Sequence, residues 1–398
     1  MAFMKYVLPA LAAGQVAMAA SCGSGDTIKI SSQGDADGYS SCKTLKGDVE
    51  IQKEITGSLS LNGIEQITGG LSCDGATNMS SLSASSLTSI GDTFKLNSLT
   101  TLTQLSFGSL TKVGSIQWTA LPELQTLDFS KGVEEAGNVA ITNTGLTDLD
   151  GISLKTVGQF DITENTNLKK VNVNDLTNAT GLINFAGNML SLEIDLPNLS
   201  SGTNMTFRNV SSVSVPSLHN LTGQLGFWGD TFKSFIAPNL TETGDLIFND
   251  NSKLANLTLS QLKTVNGGFQ IARNDKLANI TFPKLEVITG ALDFTGAFDD
   301  VSLPALKNVK GGFNMKSTGN FECKTFKTLQ DDNVIHGKYA CKAEDPNPTT
   351  KDGSSGSSTT TSGSASKSSD EGAGVAIGVN VPVLGAAAIF GYLIQYAL

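Results

Sequence analysis

Short runs of alternating apolar and polar residues recur along most of the chain, usually just after a glycine. Gly158-Gln159-Phe160-Asp161-Ile162 and Gly244-Asp245-Leu246-Ile247-Phe248 are two of them. The first apolar member falls at Val49, Leu71, Phe94, Ile116, Val139, Phe160, Leu182, Met205, Leu225, Leu246, Phe269, Leu292 and Phe313. The steps range from 20 residues (Met205 to Leu225) to 23 (Leu71 to Phe94). Alternation with period two over so few residues predicts a short strand with one face inward. A second apolar group precedes the strand, as in Leu262-Lys263-Thr264-Val265, and a third follows it, as at Leu277 and Ile280. Three inward sides per repeat of roughly 22 residues predict an all-β chain wound as a right-handed parallel β-solenoid. A single coil buries too little apolar surface to offset the entropy of ordering it, so coils must stack. At about 4.8 Å per rung, thirteen rungs make a rod of roughly 60 Å. The repeat around Leu182 fits worst, because Ile183 and Phe185 also qualify as its inward pair.

Polar residues after the strands share a register at Asn143, Asn165, Asn188, Asn209, Asp230, Asn251 and Asn274. Amides stacked at a tight turn satisfy backbone groups of adjacent coils, so this row is expected to be scaffold. The alternative is a row of ligand-binding amides.

The ends differ from the middle. Lys5, the apolar run Tyr6 to Val16 and the small residues through Ala20 read as a secretory signal over residues 1–20. Residues 21–345 hold the repeats as one ectodomain, and 346–372 form a Ser/Thr/Gly-rich stalk too polar to bury a core. The last segment, 373–398, is uncharged from Val375 onward and follows the small triplet Gly372-Ala373-Gly374. Small triplet, spacer and apolar tail form a glycosylphosphatidylinositol (GPI) attachment signal, with Gly372 as the expected site and Ser369 or Asp370 as alternatives. A simple tail anchor is the competing reading; the absence of a basic flank after the tail weighs against it. The expected location is the extracellular face of the plasma membrane and the wall beyond it.

Charge narrows the chemistry. Lys and Arg number 27 against 37 Asp and Glu, a net charge of -10, which leaves no basic excess for nucleic acid. The two histidines, His219 and His336, leave little room for a metal site, and neither cofactor nor metal is expected. Of five cysteines, two precede the first rung and two follow the last. Open solenoid ends need caps, so Cys22–Cys42 and Cys323–Cys341 are the expected disulfides. Cys73, in an inward column, is expected to be a buried free thiol, with Cys42–Cys73 as the alternative pairing. Nine Asn-X-Ser/Thr sequons, at Asn78, Asn178, Asn198, Asn204, Asn209, Asn220, Asn239, Asn256 and Asn279, predict heavy N-glycosylation of a secreted chain. Seven of these nine lie between Asn198 and Asn279.

No catalytic residue is expected. A glycosidase needs two carboxylates about 5–9.5 Å apart. On the outward strand column Asp161 and Asp293 stand six rungs apart, and the pairs Glu134-Glu135, Asp299-Asp300 and Asp331-Asp332 read as solvated loop charges. Trp228 should point outward, toward a sugar, a loop or a glycan.

The motifs Leu262-Lys263-Thr264-Val265-Asn266-Gly267-Gly268-Phe269-Gln270-Ile271-Ala272-Arg273-Asn274, Ser302-Leu303-Pro304-Ala305-Leu306-Lys307-Asn308-Val309 and Ser106-Phe107-Gly108-Ser109-Leu110 resemble the fungal GPI-anchored cell-wall organisation proteins. These are relatives of the sporulation-specific wall proteins, and the likeness spans nearly the whole chain. The resemblance implies a receptor L-domain-like, leucine-rich-repeat-type solenoid and a non-enzymatic role in wall integrity. Cys73 departs from the family pattern. The expected mechanism is scaffolding or binding of wall polysaccharide or mannoprotein through an outward sheet face carrying Gln117, Thr206, Gln270 and Asn314. The competing readings are a surface receptor or adhesin and a polysaccharide-active β-helix enzyme.

Overall fold

A computed structural model describes residues 22–350; the leader, most of the stalk, Gly372 and the terminal tail lie outside the described residues. Each coil is built from three short sides, for example Thr264–Val265, Phe269–Ala272 and Asn279–Thr281. All pairing between coils is parallel, and the inward residues align from coil to coil: Val49 with Leu71, Leu71 with Phe94, and so on to Leu292 with Phe313. The sheet gains one rung at each end, Ile28–Ile30 pairing with Val49–Ile51 and Tyr339–Lys342 with Phe313–Lys316. Thirteen expected rungs plus these two give fifteen, a stack of roughly 70 Å at about 4.8 Å per rung. The second side forms a parallel column that includes Leu45, Ile67, Ile90 and Val113. The third side is broken into short separate sheets such as Gly57–Ser60 with Met79–Ser83.

Leu182 is not the inward residue of its rung. Ile183 pairs with Phe160 and Met205, and Phe185 follows as the second inward residue. An irregularity between Ala179 and Leu182 shifts the register there by one, which sends the opposite set of side chains inward.

The interior is one continuous column of apolar side chains. Phe185, Phe207, Phe227 and Phe248 stack through successive coils, with ring centroids 5.9, 5.2 and 4.8 Å apart and nearly parallel planes. Stacked inward positions of this kind are the core that a single coil lacks.

Two corners set the coil shape. Between the second side and the main strand, glycines stack: Gly244, Gly267, Gly290 and Gly311 each donate a backbone N–H to the glycine carbonyl one coil earlier. A Cβ on Gly290 would stand 2.6 Å from the Gly267 carbonyl carbon. Gly290→Ala is therefore expected to lower stability by about 1–3 kcal/mol through forced backbone displacement, measured by denaturant unfolding against the parent protein.

The opposite corner, after the main strand, holds one residue in the left-handed region in each coil from Leu71 to Phe269, the first being Gly75 at 74°. Ser98, Ala120, Asn143, Glu164, Asn209, Asp250 and Arg273 occupy it with φ between 53° and 60°, and Gly187 and Gly229 occupy it at 67°. The next residue turns inward. Asn165, Asn188, Asp230, Asn251 and Asn274 stand there, all buried. Their Oδ1 atoms accept backbone N–H groups one coil back: Thr144 donates to Asn165, Asn165 to Asn188, Val210 to Asp230, Asp230 to Asn251 and Asn251 to Asn274. Asn143 and Asn209 fall one residue short of this ladder, where Thr144 and Val210 stand instead; they serve the left-handed turn. The buried members of the ladder are scaffold.

Both ends are capped. The helix Gln33–Gly38 begins at Ser32, whose hydroxyl accepts the Asp35 N–H. The Gln33 side-chain amide pairs with the backbone of Ser60 in both directions, imitating a missing strand at that sheet edge. At the other end the helix Cys323–Asp331 lays Phe326 against Phe313, ring centroids 5.4 Å apart. Disulfides join Cys22 to Cys42 and Cys323 to Cys341. These two helices are six and nine residues long.

Candidate functional site

The outward column of the main sheet runs from Glu50 through Gln117 and Asp161 to Asn314. Its acids do not meet. Asp161 and Asp293 are six rungs apart, roughly 29 Å at about 4.8 Å per rung. Asn184 donates to Asp161 at 2.8 Å. Asn314 and Gln270 donate to Asp293, which is 2% exposed. Burial pushes the carboxyls of Asp230, to about 8, and Asp245 upward. Both accept backbone N–H groups at the coil corners, from Val210 and Gly268. They hold the chain rather than face a cleft. Glu134 and Glu135 pair with Lys155 and Lys112 of neighbouring coils, and Asp331 pairs with Lys327. A shallow groove of about 350 Å³ crosses the first coils, lined by Thr27, Asp48, Glu50, Asp92, Lys95 and Gln117. Asp48 is engaged there by the Gly70 N–H. Among the described residues no group of His, Cys, Asp and Glu is placed to hold a metal ion.

Parts of the outward face are closed by the chain itself. Trp228 does point outward, but it folds back over its own strand: a Cβ on Gly226 would stand 2.1 Å from the indole. Arg208 caps the ring from the neighbouring coil, 4.3 Å from its centroid. Ile247, beside Gly226 in register, is buried. At the last coils the start of the stalk returns across the sheet, where Asn314 and Lys316 donate to the Thr349 carbonyl. Asn314 is 2% exposed as a result and is not presented to solvent, contrary to expectation, whereas Gln117 is exposed and Thr206 and Gln270 are half-buried. No sequence signal marked this return, because it joins a polar segment to a polar surface.

The sequons lie around the rod but avoid the middle of the main face. Asn178 and Asn220 point outward on the second side. Asn256 and Asn279 open third-side strands, and Asn78 immediately precedes another. Asn198 and Asn239 follow prolines at the corner between third and second sides, their amides donating to the carbonyls of Asn174 and Pro216. Asn204 and Asn209 flank Thr206 at the two margins of one rung. Cys73 is a free, buried thiol, and burial pushes its pKa up to about 12. It is inert packing between Ile51 and Leu96.

Comparison with known proteins agrees with this architecture. A family model described as Ecm33, GPI-anchored cell wall organization protein, matches residues 1–40, and a BspA-type leucine-rich-repeat model matches in six copies over 88–214 and 184–291. The chain is 67% identical over 399 residues to the protein named ecm33 of Aspergillus fumigatus, covering 100% of both. It is 46% identical to a cell surface GPI-anchored protein of Arthroderma benhamiae, over 89% of this chain and 92% of that one. Against the cell wall protein ecm33 of Schizosaccharomyces pombe the identity is 33%, over 86% and 82% of the two chains. No solved structure matches. On full-length likeness and on the repeats that carry it, the chain belongs to the Ecm33 family of GPI-anchored cell wall organization proteins.

Proposed function

We propose that this chain is a secreted, N-glycosylated, non-enzymatic scaffold of the cell wall. It loses residues 1–20 on export and is held at the outer face of the plasma membrane by a GPI anchor at Gly372, after removal of 373–398. Its partners on this reading are wall polysaccharide or mannoprotein. The observation that carries the reading is the unbroken stack of coils in which the outward acids Asp161 and Asp293 stand far apart and are each engaged by amides, while Glu134 and Glu135 are held by lysines of neighbouring coils. Family membership supports the anchor and the wall.

Treatment of intact cells with phosphatidylinositol-specific phospholipase C tests both halves. The protein is expected in the supernatant, glycosylated, ending at Gly372, and inactive in reducing-end release from wall glucan or chitin across pH. A protein that stays membrane-bound and retains residues beyond Gly374 overturns the anchor. Steady release of reducing ends overturns the scaffold.

A further inference from the structure

We propose that the outward face of the main sheet, over the four rungs from Phe94 to Phe160, docks an extended, uncharged β-linked polysaccharide lying along the solenoid axis. This deepens the scaffold reading and rests on it. The first observation is where modification falls: the sequence has no sequon between Asn78 and Asn178, so these four coils form a belt free of N-glycans while the coils beyond carry eight of the nine. The second is that later parts of the same face are filled by this chain, under Trp228 and Arg208 and under the stalk at Thr349. What remains open is the belt together with the rungs before it, and there Asp48, Glu50 and Asp92 bring negative charge to the groove, which leaves the belt as the near-neutral part.

The chemistry of the belt names the occupant. The parallel register aligns Gln117 with Ala140, and Thr119 with Thr142 and Thr163, one position per coil. Two of these hydroxyls touch, with Thr142 and Thr163 Oγ1 atoms 2.9 Å apart, so the threonine column is a row of short polar side chains. Donors and acceptors therefore repeat along the axis at about 4.8 Å. A homopolymer of β-linked sugars in extended form offers hydroxyls at the length of one ring, close to that repeat. An extended peptide repeats its backbone donors and acceptors at about 3.3 Å per residue, out of step with that spacing. The middle column carries one Lys95 and one Asp161, and the latter is already engaged by Asn184. That near-neutrality disfavours a polyanion or polycation. Each hydroxyl contact is weak, and affinity comes from many acting on one polymer.

The test uses the full glycoprotein released from cells by phospholipase, mixed with particulate β-1,3-glucan and with chitin. The wild type is expected to sediment with at least one of them. Gln117→Arg with Thr142→Arg should lower the bound fraction about tenfold, because many weak contacts are lost together. Asn172→Arg, on the third side, should leave binding unchanged. Thr119→Val with Thr142→Val keeps strand preference and removes hydroxyls; it should weaken binding even if the arginine variant fails to fold. Normal binding by the folded valine variant overturns the face while leaving the scaffold reading intact. Wild-type protein that binds neither particle but captures purified wall mannoprotein overturns the ligand class. Release of reducing ends overturns the scaffold reading itself.

Discussion

Replacing Asn274 by Ala is expected to cost about 3–5 kcal/mol, since each buried backbone group left unpaired costs about 1–3. The Asn274 side chain accepts the Asn251 N–H at 2.9 Å and donates to the carbonyls of Phe248 and Ala272 at 2.9 and 3.1 Å. The site is fully buried, so water does not replace the amide. Alanine also leaves a small void beside the corner. The loss belongs to the contact between neighbouring coils, which in a stacked repeat governs whether the rod unfolds as one unit. Urea unfolding of Asn274→Ala should show a lower midpoint. Amide exchange should show protection lost first in the coils of Phe248 and Phe269. A variant with the wild-type midpoint and unchanged exchange at Asn251 would remove the ladder from the list of forces holding the coils.

The fold was legible because one period governs everything that is buried. Val49, Leu71, Phe94 and their successors are found by counting, and parallel pairing then follows from equal coil length. Where the count slips the reading slips, as at Leu182, because an irregular strand is invisible to a search for alternation. The left-handed corner was hidden for a different reason. Its occupants, Ser98, Ala120, Glu164 and Arg273 among them, share a backbone angle and no side-chain chemistry. Asn143 and Asn209 were misplaced into the amide row because asparagine suits both the left-handed turn and the buried position after it. On the outward face, sequence assigns direction but not cover. Ile247 and Asn314 point outward as alternation requires, yet lie buried, Ile247 beside the Gly226 over which Trp228 folds and Asn314 under the stalk root. The six-rung separation of Asp161 from Asp293 follows from the repeat length alone, whereas the closure by Trp228 and by the stalk root depends on side-chain packing that no repeat encodes.

Asp230 makes the amide ladder sensitive to pH. It stands where asparagine stands in neighbouring coils, and its Oδ1 accepts the Val210 N–H at 2.8 Å. Asn251 and Asn274 spend their amide hydrogens on the carbonyls of Phe227 and Phe248; the register equivalent for residue 230 is the Phe207 carbonyl. A carboxylate has no hydrogen to give, and Asp230 Oδ2 is buried without a partner. Burial pushes its pKa up to about 8, against smaller opposing effects of the Val210 N–H and the Arg208 guanidinium. The folded state thus favours the protonated acid, which imitates asparagine. A pKa raised on folding gives stability that is complete below the unfolded value of 3.8 and is lost as pH rises toward 8, with no further loss above it. Asp230→Asn supplies the missing donor at every pH. It should leave stability near pH 4 almost unchanged and raise it at pH 8 by about 2–4 kcal/mol, less than the full linkage value because one coil can open locally. Denaturant midpoints for both proteins from pH 4 to pH 9 measure the difference, and subtracting one curve from the other removes every carboxylate they share. A difference that stays flat across that range would mean the Asp230 carboxyl is ionised in the folded chain and its Oδ2 is satisfied by water.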